Sequence, residues 1–173
     1  GYGHIGKTCH QLANAIGMKT YTLNRSKVSA REDLNTVDSV YELANMSDVL
    51  VVACPHNSNT ENLVNKEVLE NLGPGGILIN VSRGPIVNEY DLYEALSQCT
   101  IRGAIVDVWY SYPKNPNDIT KPSQYSFETL DNIIMTPHLS ANTKHMVEAR
   151  WKKIAENLNS FMHGEQLQNE ILT

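Results

Sequence analysis

The stretch GYGHIG at residues 1–6 decides the fold that this sequence predicts. It follows the pattern G-x-G-x-x-G and runs into an amphipathic helical pattern that ends near Gly17. Glycines at these places permit a tight turn, let backbone N–H groups approach a pyrophosphate and let the helix pack closely on a strand. Such turns are common, so the motif needs support from the rest of the chain. It predicts a dinucleotide site with the cofactor-binding residues Gly1, Gly3, His4, Ile5 and Gly6.

Apolar runs alternate with helical patterns along the rest of the chain. Runs without polar alternation indicate strands that are buried on both faces of a parallel sheet. Strands are predicted at 20–23, 49–53, 77–81, 103–108 and 133–135, and helices at 5–16, 38–46, 66–72, 88–97 and 142–162, with Asp38 and Asn88 as N-caps. This order predicts an α/β fold with a doubly wound parallel sheet of the Rossmann type. Because that fold has a buried strand before its first glycine, we expect the first strand to be missing from the chain.

Charge and composition exclude several function classes. The 173 residues carry a net charge of -5, which argues against a nucleic-acid or anionic-membrane surface. The apolar runs are too short to cross a bilayer. The cysteines Cys9, Cys54 and Cys99 are odd in number and show no C-x-x-C spacing, so neither a disulfide framework nor a metal site is indicated. A cytoplasmic protein is the default expectation.

The end of the predicted second strand bears on cofactor choice. In NAD-binding versions of this unit a carboxylate about 20 residues past the glycines accepts hydrogen bonds from the adenosine ribose. Here the strand ends in neutral Asn24, followed by Arg25, Ser26 and Lys27. The two cations would attract the 2′-phosphate of NADP, which a carboxylate would repel, and Ser26 could donate a hydrogen bond to it. NADP is therefore the predicted cofactor, with NAD and a simple solvated loop as the alternatives.

Two side chains stand out where predicted strands end, the edge at which such sheets bind ligands. Arg83 precedes the rigid Gly84-Pro85 turn, and arginine there suits bidentate capture of a carboxylate. His138 follows Pro137 and can donate or accept a proton near neutral pH. Each residue also has a purely structural interpretation, which is a surface salt bridge for Arg83 and a helix cap for His138. Their joint placement in one nucleotide fold favours function. The proline-rich loop at 110–126 is a further candidate because of its length.

Four regions of the chain resemble the signature regions of the D-isomer-specific 2-hydroxyacid dehydrogenases, in that family's order: 1–6, 80–89, 103–113 and 135–140. The resemblance implies hydride transfer between a nicotinamide cofactor and a 2-oxo or 2-hydroxy acid, with Arg83 on the substrate and His138 as proton shuttle. It places Val81, Ser82, Arg83, Asp107, His138 and Ser140 along the nicotinamide, and Cys54, Pro55 and Thr60 in the cofactor cleft. It also implies a homodimer and a dinucleotide-binding domain at 1–173 that leads back, after the helix at 142–162, to an absent substrate domain.

One position departs from the family pattern. The family's third catalytic residue is a Glu before the proline of the loop after Asp107, and this chain has Tyr112 before Pro113. A phenol has no charge at neutral pH, so we expect His138 to lose its proton at lower pH than in relatives with Glu. The predicted function is reduction of a small 2-oxo acid such as glyoxylate or hydroxypyruvate with NADPH. The alternatives are a cofactor-sensing scaffold like the family's corepressors, or a formate-oxidising enzyme, since similar enzymes of that kind carry an uncharged Gln there.

Overall fold

The structure is a computed structural model that describes residues 1–23, 34–115 and 117–169. The chain divides into two compact units, Gly1–His138 and Leu139–Thr173. The helices and strands, in chain order, are α1 (His4–Ala15), β1 (Tyr21–Leu23), β2 (Asn35–Val37), α2 (Val40–Asn45), β3 (Val49–Val52), α3 (Lys66–Leu72), β4 (Ile77–Asn80), α4 (Glu89–Ser97), β5 (Gly103–Val106), β6 (Ile133–Met135) and α5 (Lys144–Met162). The alternation confirms the predicted α/β fold.

All strand pairs of the first unit are parallel. One sheet has the order β3-β4-β5-β6, and a separate pair joins β1 to β2. In the larger sheet Val52 is level with Asn80, Asn80 with Val106, and Val106 with Met135. The four strands therefore end side by side, and the residues that follow them in the chain emerge at one edge.

The core lies between this sheet and the helices that cover it. The strands are apolar, and each of these helices buries one face against them. Leu78 of β4 is fully buried, as are Val68 and Leu69 of α3. Asparagines start both flanking helices: Asn65 accepts from the backbone N–H of Val68, and Asn88 accepts from that of Asp91, as predicted for Asn88.

One prediction for the region before β3 was wrong, and one strand there was not predicted. The N-cap of α2 is Ser39, whose hydroxyl accepts from the Glu42 backbone N–H at 3.0 Å, and not Asp38. Ser and Asp are equally good caps, so the sequence could not rank two neighbours. The strand β2 was not predicted because its three residues, Asn35–Val37, carry only one apolar side chain that is buried.

A cavity of about 490 Å³ separates β1 from β3. Its lining includes Thr22 of β1, Val51 of β3 and His10 of α1. Gly1 lies at one end, against the carboxyl end of β3, because a Cβ on Gly1 would stand 2.4 Å from the Cys54 nitrogen. A parallel strand in this cavity would join both sheets into the order known for doubly wound folds.

The second unit contains α5. Thr143 caps this helix by accepting from the backbone N–H of Met146 at 3.1 Å. Its apolar side chains recur at spacings of three and four, and those that are exposed include Val147, Trp151, Ile154, Leu158 and Phe161. A search of the described residues found no helix with the length and apolar character that crossing a membrane requires.

Candidate active site at the carboxyl edge of the sheet

The glycine turn has the properties of an anion cradle. Gly6 packs against the turn itself, since a Cβ there would lie 2.1 Å from the Gly1 carbonyl oxygen. Gly3 instead faces open space, which a side chain would begin to fill. Gly3 is also the N-cap of α1 and forms no side-chain cap, and the first turn contains no acidic residue. The backbone donors at this end therefore remain available to a pyrophosphate, and the residues present fit a dinucleotide.

The ends of β3 and β4 are joined beside this turn. The hydroxyl of Ser82 donates to the carbonyl of Cys54, so two predicted cofactor residues are in contact. Thr60 is 1 % exposed, and its hydroxyl donates to the Pro55 carbonyl at 2.7 Å and accepts from the Asn57 backbone N–H at 2.8 Å. Thr60 thus shapes the loop after Pro55, and any role that it has in the cleft acts through that loop.

Arg83 is held by a residue that the sequence analysis did not single out. Asn80, 1 % exposed, donates from Nδ2 to the Arg83 carbonyl at 3.0 Å and accepts from the Ser82 backbone N–H at 3.1 Å. The guanidinium itself is exposed and donates to the Ser82 carbonyl at 2.6 Å. Within the described part of the chain no carboxylate pairs with Arg83, so the structure does not support its interpretation as a salt-bridge arginine. An asparagine at a strand end was the sequence feature that could have indicated these two hydrogen bonds.

We expect Asn80→Ala to lower the free energy of unfolding by about 1–3 kcal/mol, because two backbone groups of a partly buried turn lose their hydrogen bonds to the buried Asn80 side chain. The midpoint of urea denaturation measures this. Asn71→Ala is the matched control, since Asn71 makes one hydrogen bond, to the Glu67 carbonyl, at an exposed position. Equal midpoints for the two variants would contradict the role of Asn80.

Asp107 and Thr136 join the ends of β5 and β6. Asp107 is 3 % exposed, and its carboxylate accepts from the Thr136 hydroxyl at 2.5 Å. The backbone N–H of Asp107 donates to the Asn80 carbonyl at 3.1 Å, which ties it to β4 as well. A buried carboxylate fixed in this way has a defined orientation between the strand ends that carry Arg83 and His138.

His138 is exposed and has a left-handed backbone, with φ at 58°. This conformation is uncommon for a residue other than glycine, and such positions cluster at functional sites. The rings of His138 and Tyr112 are in contact, with centroids 5.5 Å apart and planes tilted by 46°. The hydroxyl of Tyr112 is turned to its own loop, where it accepts from the Trp109 backbone N–H at 2.8 Å. The ring next to the imidazole therefore provides packing and no negative charge.

The loop at 110–126 is anchored at both ends. The backbone N–H groups of Tyr110 and Ser111 donate to the Pro122 carbonyl. Glu89 at the start of α4 accepts from the Ser123 hydroxyl at 2.7 Å and from the Gln124 backbone at 3.0 Å. Burial, and then the carboxylate of Glu89, raises the pKa of the Tyr110 hydroxyl above its usual value. That hydroxyl stays protonated and donates to the Val87 carbonyl at 3.1 Å, so the base of the loop is fixed.

The strand ends thus bring together most of the predicted site residues, namely Gly1, Gly3, His4, Ile5, Gly6, Cys54, Pro55, Val81, Ser82, Arg83, Asp107, Tyr112 and His138. Asn24, Arg25, Ser26 and Lys27 lie outside the described residues. Ser140 belongs to the second unit, and its placement stays a prediction. Among the described residues no group of three or more His, Cys, Asp or Glu side chains could hold a metal ion.

The chain matches a known protein family over most of its length. Residues 1–140 match the NAD-binding domain of the D-isomer-specific 2-hydroxyacid dehydrogenases. A hydroxyphenylpyruvate reductase from Plectranthus scutellarioides is 34% identical over 167 residues, which are 96% of this chain and 50% of that protein.

Two solved structures are similar to this chain in both sequence and fold. An NADPH-dependent glyoxylate/hydroxypyruvate reductase from Sinorhizobium meliloti, crystallised with NADP and malonate, is 28% identical with a TM-score of 0.80, over 94% of this chain and 48% of that one. An acyclic imino acid reductase in complex with NADPH and D-Arg is 32% identical with a TM-score of 0.83, over 99% and 52%.

The chain spans about half the length of each of these relatives. Its family match covers most of the chain, and the cofactor of that family's domain is NAD(P). The chain therefore belongs to the D-isomer-specific 2-hydroxyacid dehydrogenase family, and its residues 1–140 correspond to the NAD-binding domain of that family.

Proposed function

We propose that the protein containing this chain reduces small 2-oxo acids such as glyoxylate or hydroxypyruvate. The observation that carries the proposal is an exposed Arg83 after the end of β4 and an exposed His138 after the end of β6, on the same edge of one sheet. Strands β4 and β6 are two positions apart, or about 10 Å between their axes. A small acid between them is within reach of both side chains.

Each side chain has one role in this reaction. The guanidinium of Arg83 binds the substrate carboxylate and polarises the oxo group. His138 gives its proton to the oxo oxygen as negative charge develops there. The bound cofactor supplies the hydride that reaches C2 of the substrate.

We further propose that NADP is preferred over NAD. Support comes from Arg25 and Lys27 after neutral Asn24, and from a relative described as NADPH-dependent. A single charge pair of a few kcal/mol would give a preference of about tenfold or more. A homodimer stays a prediction from the family resemblance, and a cytoplasmic location stays a prediction from the cysteine pattern.

Tyr112→Glu should extend reduction toward higher pH by about one pH unit. A carboxylate stabilises the imidazolium of His138, so the ring keeps the proton that reduction requires as the pH rises. The pH profile of kcat/KM for glyoxylate measures the shift. Tyr112→Gln is the matched control, because Gln is polar but uncharged and leaves the profile where it is in the wild type. An identical profile for Tyr112→Glu would contradict the argument.

A second candidate function follows from the same contact. The phenol of Tyr112 gives no charge to the imidazole 5.5 Å away, and a substrate that carries its own proton would not depend on proton donation by His138. In a protonated imine the hydride adds to carbon, the π electrons move to nitrogen, and the amine forms without proton donation in that step. The likeness to an acyclic imino acid reductase supports this candidate.

Addition of methylamine separates the two candidates. Methylamine condenses with glyoxylate to an imine at alkaline pH. If imines are substrates, NADPH oxidation by the full-length protein is faster with both compounds than with glyoxylate alone, and Tyr112→Glu reduces that gain. If methylamine has no effect on the rate, imine reduction is excluded and the 2-oxo acid remains the substrate.

A panel of 2-oxo acids with NADPH and NADH tests the main proposal. Turnover that favours NADPH supports both the cofactor and the substrate assignment. Tight cofactor binding without turnover of any acid would contradict the enzyme assignment and favour the sensing scaffold.

A further inference from the structure

Trp109 contacts the three turns that carry the proposed site residues. It lies two residues beyond Asp107 and is 5 % exposed. Its ring packs edge-on against Phe127, with centroids 6.1 Å apart. Packing alone explains the buried ring, but it leaves the polar contacts of Trp109 to be explained.

The first contact is with the turn that carries His138. The indole N–H of Trp109 donates to the Thr136 carbonyl at 2.9 Å. Only Pro137 separates that carbonyl from His138, and its ring fixes φ. A displacement of the Thr136 carbonyl is therefore transmitted to His138 through a stiff two-residue link.

The second contact is with the turn that carries Arg83. The Trp109 carbonyl lies so close to Gly84 that a Cβ on residue 84 would stand 2.4 Å from its oxygen. The main chain of Trp109 thus rests on the residue that follows Arg83. This contact involves only backbone atoms of Trp109, so it survives a change of side chain.

The third contact is with the ring beside the imidazole. The backbone N–H of Trp109 donates to the hydroxyl of Tyr112 at 2.8 Å, and Tyr112 packs on His138. Trp109 is thereby linked to His138 from two sides, through Thr136 and through Tyr112.

We infer that Trp109 is a positioning residue, whose indole N–H sets the place of His138 relative to a substrate held by Arg83. This inference rests on the proposed function. It separates two tasks of one residue: the backbone of Trp109 supports the Arg83 turn, and the side chain aligns the proton donor.

The test compares two side chains in the full-length protein. Trp109→Phe keeps an apolar ring and removes the N–H group. Trp109→His removes the larger ring and keeps an N–H at the corresponding ring position. Phe127→Leu is the control for packing, since it changes the ring against Trp109 and leaves the indole hydrogen bond in place.

Trp109→Phe should lower kcat about tenfold, as small misplacements of a reacting group do, while KM for the 2-oxo acid stays within about twofold. The solvent deuterium isotope effect should rise because proton transfer becomes slower. Trp109→His should recover most of the lost kcat. Phe127→Leu should lower Tm and leave kcat and the isotope effect near their wild-type values.

The opposite outcomes overturn the inference. One is an unchanged kcat in Trp109→Phe. The other is a loss of kcat in both Trp109 variants that parallels their loss of Tm, whether or not the variant retains a ring N–H group. The nuclear Overhauser contact between the rings of Tyr112 and His138 gives a readout without turnover: it should weaken in Trp109→Phe and return in Trp109→His. If the wild type consumes no cofactor, the proposed function fails, and this contact alone decides the role of Trp109.

Discussion

Arg83→Ala should lower kcat/KM for a 2-oxo acid about 10²- to 10³-fold, the range expected when one partner of a hydrogen-bonded charge pair is removed. The guanidinium is the charged group that the turn after β4 presents, and Asn80 holds that turn by two hydrogen bonds. Without the guanidinium, the substrate carboxylate has no counterion in the proposed complex. Both KM and kcat should therefore change, because the polarised oxo group is lost together with the anchor.

Two variants sharpen this experiment. Arg83→Lys keeps the charge but not the planar pair of donors, so it should restore only part of the loss. Arg102→Ala removes an exposed arginine just before β5, at the other edge of the sheet, and should leave kcat/KM unchanged. If Arg83→Ala behaves like Arg102→Ala, the substrate is not bound through Arg83.

Replacement of His138 should act chiefly on turnover, with a loss of about 10²- to 10⁴-fold in kcat, as is usual for removal of a general acid. KM should change little because Arg83 still holds the carboxylate. Steady-state kinetics with glyoxylate measure both values. The choice of substituent matters, since residue 138 has φ at 58°.

His138→Asn is the more informative variant. Asn adopts the left-handed region readily, whereas Ala there costs about 1–2 kcal/mol. A loss of kcat shared by His138→Asn and His138→Ala therefore reports the missing imidazole, and a loss confined to His138→Ala reports backbone strain. Wild-type kcat in His138→Asn would remove His138 from the mechanism.

The larger sheet could be predicted because its strands are short apolar runs without alternation, which are typical of parallel sheets. The expected burial on both faces is only partial, since residues of β3, β4 and β5 alternate between buried and half-buried. Arg83 and His138 could be predicted for a related reason. Once the strands are known to be parallel, the residues that follow them must share an edge. In the register, Asn80 is level with Val106 and Val106 with Met135, so the residues that follow β4 and β6 emerge at the same edge.

The remaining features depend on contacts between distant segments, which no local pattern records. The bond from the Trp109 indole to the Thr136 carbonyl spans 27 residues, and that from Ser82 to Cys54 spans 28. The hydrogen bond from Asn80 to the Arg83 carbonyl spans only three residues, but a polar residue at a strand end can have several structural roles. Spacing could not reveal that this asparagine is buried and bonded to the turn.

The described site does not indicate how the rest of the proposed substrate, beyond its carboxylate and oxo group, would be chosen. The chain spans about half the length of its relatives, and its described site offers one cation and one imidazole for the reacting end of a 2-oxo acid. We expect the side chain of the acid to be recognised largely outside this domain. In the proposed function Arg83 and His138 act on the reacting end of the acid.

Transfer of deuterium tests the central claim most directly. The full-length protein is given glyoxylate and NADPH that carries deuterium at the hydride position of the nicotinamide, and the product is analysed by mass spectrometry. We predict glycolate with one deuterium on C2, formed more slowly by Arg83→Ala and by His138→Asn. Oxidation of the cofactor without deuterium in the product, or cofactor binding without any product, would contradict the assignment of this domain to hydride transfer onto a 2-oxo acid.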